Sequence, residues 1–312
     1  MVTNGKIFTN KKYLTITLSL ILIYLILLIY QEKITDDNAK EYANYVNLIE
    51  NENNRDEIII NRIEKLSEVS ESEMLTNSFF KEYQLLNRIK EYSAAISDYH
   101  TNLAARINNL QSINKFTDNV SIEKKNKKYI EAYSKCNQVK LKFGNYVAIE
   151  RIITDKKAII FIAILVIMTV YFSFVEERNS GVYELFFSMK NGTTKIYITK
   201  YFACVTICII EVALLLTVQL LAYISIYGIS DLNVSIQSVG ILVNSPYPIS
   251  VFMMIVLYFT FLFFITIMLV AIFSCIGSCP TGLMGYMMGI VIYLLINFRE
   301  CKLFCVNPLD GC

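Results

Sequence analysis

The chain has 312 residues, 54% of them apolar and 18% charged, with a mean hydropathy of +0.44 and a formal net charge of +2. Soluble domains carry about 25% charged residues, so this balance excludes a disordered chain and an ordinary cytosolic enzyme. The near-neutral charge offers no field for nucleic acid.

The averages hide a division. Residues 31–157 hold 40 of the 56 charged residues, 20 acidic and 20 basic, and the rest is apolar in runs as long as membrane spans. The expectation is one all-α membrane protein with a polar module inserted, rather than two soluble domains. Its parts are 1–30 (cytoplasmic N-terminus and first span), 31–157 (external helical domain) and 158–312 (membrane domain with four further spans and a short external tail).

The first element is Tyr13–Tyr30, which has no charge over 18 residues. At 1.5 Å per residue this is about 27 Å, enough to cross a bilayer core. Lys6, Lys11 and Lys12 precede it, as in a signal peptide, but the run exceeds a typical apolar signal core and no small-residue cleavage site follows. The same lysines put the N-terminus in the cytoplasm and 31–157 outside.

Residues 31–157 contain no Pro, and only one Gly, Gly144, and one Cys, Cys136, which is too little turn punctuation for a β domain. Phe79, Tyr83, Leu86, Ile89, Ile96, Tyr99, Leu103, Ile107, Leu110 and Ile113 recur every three or four residues, with a gap at Ser93. That seam predicts a coiled-coil-like helix of about five heptads within an antiparallel hairpin or bundle. Ile58–Leu66 and Tyr129–Val147 carry weaker stripes, and clusters of Asn, Asp and Ser at 51–56, 67–73 and 114–121 read as turns. His100 is the only histidine and has no cysteine pair beside it, so no metal site, catalytic triad or cofactor is expected.

The second span is expected at Ala158–Val175 and the third at Tyr201–Tyr227, joined by a cytoplasmic segment, VEERNSGVYELFFSMKNGTTKIYITKY over 175–201. Val182, Leu185, Phe186 and Met189 line one face of a short amphipathic helix at about 178–190. Glu211 stands inside the third span, where an ionisable side chain is costly and marks a polar site. Spans four and five are expected at Ser250–Ser274 and about Thr281–Phe298. They are separated by a tight turn at Ser274–Pro280. Loop 228–249 has no Lys or Arg and reads as an external connector, with Pro246 and Pro248 breaking the chain before span four. Gly282, Gly285 and Gly289 allow close helix packing. Cys204 and Cys208 read as small apolar span residues, and Cys301, Cys305 and Cys312 lie in the tail. Five spans leave the tail at 299–312 outside, an odd count that calls for a sixth span beyond it or a tail that re-enters the interface.

In the 175–201 segment the chain resembles permeases of type-2 ABC transporters. These carry an acidic residue past a span, a Gly, a short amphipathic helix, a marked turn, and a Lys opening the next span. Glu176, Glu177, Gly181, Leu185, Met189, Gly192 and Lys200 follow that order, although Lys190-Asn191-Gly192 stands where such turns often hold Pro. The order of one span, a large external domain and then a cluster of spans also agrees.

The resemblance implies that these residues couple the chain to a separate ATP-binding cassette subunit, with a second permease subunit completing the transporter. The chain has no G-x-x-x-x-G-K-[ST] loop of its own, so it is expected to be catalytically silent. The expected setting is a bacterial cytoplasmic membrane. The alternative is a membrane sensor whose external helical domain binds a ligand and signals through a partner chain.

Overall fold

The computed structural model describes residues 11–35, 37–52, 54–67, 77–117, 119–175 and 192–277. The described residues form α-helices with short 3₁₀ turns and a single isolated bridge, between Ser235 and Ser250. Four helices are long and apolar enough to cross a membrane, over Lys11–Glu32, Lys157–Phe174, Thr194–Tyr227 and Val251–Ile276. The chain is an all-α membrane protein, and the fifth span expected at 281–298 lies outside the described residues.

The helices are α1 (Lys11–Thr35), α2 (Asp37–Ile49), α3 (Arg55–Ser67), α4 (Asn77–Ser97), α5 (Tyr99–Phe116), α6 (Val120–Lys135), α7 (Val147–Thr154), α8 (Lys157–Val170), α9 (Gly192–Tyr227) and α10 (Val251–Gly277). They divide into two compact units. One comprises Met1–Tyr24, Lys156–Leu216 and Phe261–Cys312, and the other Leu25–Asp155 and Thr217–Thr260.

In the first unit, α8 passes into one π-helical turn over Tyr171–Val175. Tyr13 and Ile207 pack with Met168 and Phe172, the Tyr13 ring meeting Phe172 edge-on at 5.4 Å. Tyr24 packs on Phe161 with ring centroids 4.9 Å apart. Much of α1 and α10 stays uncovered by protein, with Leu18, Leu22, Phe264 and Ile272 exposed. That surface suits hydrocarbon, which solvates Leu and Phe as readily as a protein core does.

The second unit has two apolar clusters. Val46, Ile49, Ile59, Leu85, Ile89, Ile96 and Phe143 form one, between α2, α3 and α4. Tyr99, Leu103, Tyr133 and Cys136 form the other, between α5 and α6. Most of the heptad seam therefore lies in the core. It is carried by two helices rather than one, since Asp98 (φ −88°, ψ 3°) interrupts it. The interruption is slight: Asp98 N donates to Ala94 O and Asn102 N to Asp98 O, both at 2.9 Å, so the hydrogen-bond ladder runs through. The seam's ends are not core, with Phe79 38% and Ile113 42% exposed.

Three further boundaries differ from expectation. The stripe at Tyr129–Val147 is helical only to Lys135; beyond Cys136–Gln138 the chain is irregular until α7, and it buries Phe143, Asn145 and Tyr146 there. α10 continues through Cys275 to Gly277, residues assigned by sequence to the turn. The third span opens at Gly192, nine residues before Tyr201, because no Pro stands between 192 and 200 and Lys195 and Lys200 are the only charges there.

The largest difference concerns loop 228–249, which packs into the second unit instead of standing as an exposed connector. Val234, Ile236, Gln237, Ser238 and Val239 are buried. Gln237 Nε2 donates to Ser245 O (3.0 Å) and Tyr247 O (2.9 Å), pinning the loop's own turn. The Tyr92 hydroxyl lies 2.6 Å from Ser238 O and 3.2 Å from Gly144 O. Asn145 N donates to Ser230 Oγ at 2.7 Å, and Ser230 Oγ donates to Glu50 Oε2 at 2.6 Å. Glu50 also meets Lys142 Nζ at 3.3 Å. Glu150 accepts Ile241 N at 3.2 Å, and burial pushes its carboxyl above the ordinary range against the opposing backbone bonds and the charge of Arg88. The chain thus closes its polar module with a segment it reaches only after the third span.

Candidate functional site

The membrane-depth site is built around Glu211, residue 20 of the 36 in α9 and therefore past the helix midpoint. Its side chain is 4% exposed. The carboxyl meets three hydroxyls from two other span helices. On α1, Tyr13 and Thr17 sit four residues apart on one face. Both donate to Oε1, Thr17 at 3.2 Å. On α8, Thr169 Oγ1 lies 2.9 Å from Oε2. Tyr13 and Thr169 also lie 2.9 Å from each other. Cys208 and Cys204, one and two turns earlier on α9, are buried cysteines outside any disulfide.

The protons in this cluster can be counted. Thr169 has one hydroxyl proton and two acceptors in reach, Glu211 Oε2 and, at 2.9 Å, the Leu165 carbonyl one turn back. With Glu211 ionised, Thr169, Tyr13 and Thr17 all donate to the carboxylate. With a proton on Oε2, the carboxyl donates to Thr169 Oγ1, the Thr169 proton turns to Leu165 O, and the Oε1 bonds persist. One hydroxyl rotation therefore accommodates either state with every heavy atom in place. The arrangement can hold or pass one proton, and it ties α1, α8 and α9 together at one point.

Of the residues expected to couple to a partner, Glu176, Glu177, Gly181, Leu185 and Met189 lie outside the described residues. Gly192 is the first residue of α9. Lys200 lies two turns into that helix rather than at its opening, 3% exposed, with its ammonium 5.8 Å from the Phe174 ring centroid. His100 is exposed and its ring stands edge-on to Tyr99 at 5.3 Å.

Sequence reasoning singled out Glu211 but not Tyr13, Thr17 or Thr169. The available signal is two hydroxyls at i, i+4 in an otherwise aliphatic run, which a span reading absorbs without comment. Compared with protein-family models, with curated proteins and with solved structures, the chain finds no match.

Proposed function

We propose that the chain is the permease subunit of an ABC-type exporter in a bacterial cytoplasmic membrane. It hydrolyses nothing itself and couples ATP hydrolysis in a separate cassette subunit, together with a second permease subunit, to movement of substrate across the bilayer. On this reading the polar module stands outside and the 176–191 segment meets the cassette in the cytoplasm.

The observation that supports it most is the build of α9. This one 36-residue helix begins at Gly192, at the end of the coupling-like segment, and holds Glu211 in its interior. A rigid helix transmits displacement at one end along its whole length. The bonds from Glu211 to Tyr13, Thr17 and Thr169 make α1 and α8 follow it. A force applied at 176–191 would thus move three spans as one body rather than bend a loop.

The test is purification of the tagged full-length chain from its native membrane in mild detergent, with identification of co-purifying chains and an ATPase assay. A stoichiometric subunit bearing a phosphate-binding loop is the expected result, with Glu177→Ala and Gly181→Val retaining the subunit but losing transport-stimulated hydrolysis. Recovery with a signalling chain and no nucleotide-binding subunit would overturn the proposal in favour of a sensor.

A further inference from the structure

The tip of the α5–α6 hairpin has a composition that a connecting turn does not need. Phe116, the last residue of α5, is 88% exposed and Val120, the first of α6, is 73% exposed. Ile113 and Ile122 extend the apolar crown on either helix, and both are exposed. Lysines surround it. Lys115 precedes the turn, and Lys124, Lys125, Lys127 and Lys128 follow, all exposed. Asp118 and Glu123 are the acidic residues in this stretch, and Glu123 is held by Lys127 at 2.7 Å.

The tip is also well built. The Asn119 side chain accepts from Ser121 N at 2.9 Å and Ile122 N at 3.4 Å, capping α6. Asn126 Nδ2 donates to Asn114 Oδ1 at 2.9 Å, tying the two helices one turn below. The four apolar side chains are therefore presented from an ordered frame.

We propose that this tip docks into the headgroup layer of the bilayer that the chain itself spans, with a preference for anionic lipid. A convex apolar crown with a basic surround is the composition that seats a helix end at a charged lipid surface, with aliphatic and aromatic groups below the phosphates and lysines among them. A stable protein partner would need about 800 Å² from some 20–30 residues on each side. The crown offers four side chains, enough to anchor in lipid and too few for such an interface.

The bilayer in question is the chain's own because the hairpin is tethered to it. Glu32, before α2, is bonded to the hydroxyl of Tyr227, the last residue of α9. Near the end of α2, Asn47 Oδ1 accepts from the Asn145 amide (3.1 Å), which also donates to Tyr227 O (2.7 Å). α2 packs along α4, and α5 continues α4 through Asp98. At 1.5 Å per residue α5 reaches only about 27 Å further, so the surface its tip meets at highest effective concentration is the one the spans cross. The proposal does not depend on what the chain transports.

The chain contains no tryptophan, so Phe116→Trp supplies a single reporter at a position where no packing is lost. The full chain carrying it is reconstituted in bilayers of phosphatidylglycerol or of phosphatidylcholine, with brominated acyl chains as quenchers. Blue-shifted, quenched emission in phosphatidylglycerol, reversed by high salt and weaker in phosphatidylcholine, is expected. Adding Lys124→Gln and Lys125→Gln should move the docked–undocked equilibrium about thirty-fold toward undocked. Water-like, unquenched emission in phosphatidylglycerol bilayers would overturn the proposal and leave a protein partner as the occupant. Quenching only by brominated vesicles added from outside would overturn the choice of bilayer.

Discussion

At the scale of single residues, Glu211 is a buried carboxyl and Glu150 a half-buried one, and they answer to different surroundings. Replacing Glu211 by Gln keeps an acceptor for Tyr13 and Thr17 and donates to Thr169, matching the protonated arrangement. Glu211→Gln should therefore change stability by under about 1 kcal/mol, and Glu211→Ala, which strands those hydroxyls, should cost about 1–3 kcal/mol in denaturant titrations of the detergent-solubilised chain. Glu150 lies in the polar module with its carboxyl pushed up by burial. The folded state then binds more protons than the unfolded one from the ordinary carboxyl range up to the raised value, so the contribution of Glu150 to stability falls as pH rises through that window. Glu150→Gln should flatten the pH dependence of the melting temperature just above the ordinary carboxyl range. Glu211 was legible in the sequence because a charge in an apolar run stands out. Its partners were not, because Tyr and Thr are ordinary span residues and only packing brings Tyr13 and Thr169 to it.

At the scale of elements, the hydrophobic periods marked the helices well and their ends poorly. The seam packs into the core from Leu86 to Leu110, and its break at Asp98 is a one-residue event with no Pro or Gly to announce it. Asp98→Ala should merge α4 and α5 at no cost, or with a gain of a few tenths of a kcal/mol, read as unchanged or higher helicity and melting temperature. Asn119→Ala removes the α6 cap and should cost about 1 kcal/mol, with faster amide exchange confined to the first turn of that helix. The early start of α9 was hidden by Lys195 and Lys200, which sequence reasoning counts as loop charges. Long lysine side chains lie along a helix and bury their methylenes, so two of them do not end one.

At the scale of the whole molecule, the presence of membrane-spanning helices was legible from the long apolar runs alone. The membership of loop 228–249 was not. Its residues carry no Lys or Arg and no strong period, and its burial depends on partners more than 80 positions away, such as Asn145 for Ser230 and Tyr92 for Ser238. Deleting 35–155 would therefore strip the cover from Ile236, Gln237 and Val239, and the remaining chain should aggregate or be degraded rather than persist as a folded membrane protein. Gly144 tests the same seam more gently. A Cβ there would lie 2.9 Å from Ser230 Cβ and Oγ, so Gly144→Ala should cost about 1–3 kcal/mol, measured by thermal unfolding of the solubilised chain.

That closing segment also sets a timetable for biogenesis. When Asp155 leaves the ribosome, every residue of α2 to α7 has been made, but the residues that complete their core lie 75–95 positions downstream. At about 5–20 residues per second, roughly 4–20 s pass before they emerge, and two more spans must be threaded into the membrane meanwhile. Throughout that interval the faces around Tyr92, Asn145 and Glu150 lack their partners and are open to chaperones and proteases. Membrane insertion of α8 and α9 is thus a prerequisite for finishing the module, and a defect in either span should appear first as a protease-sensitive module.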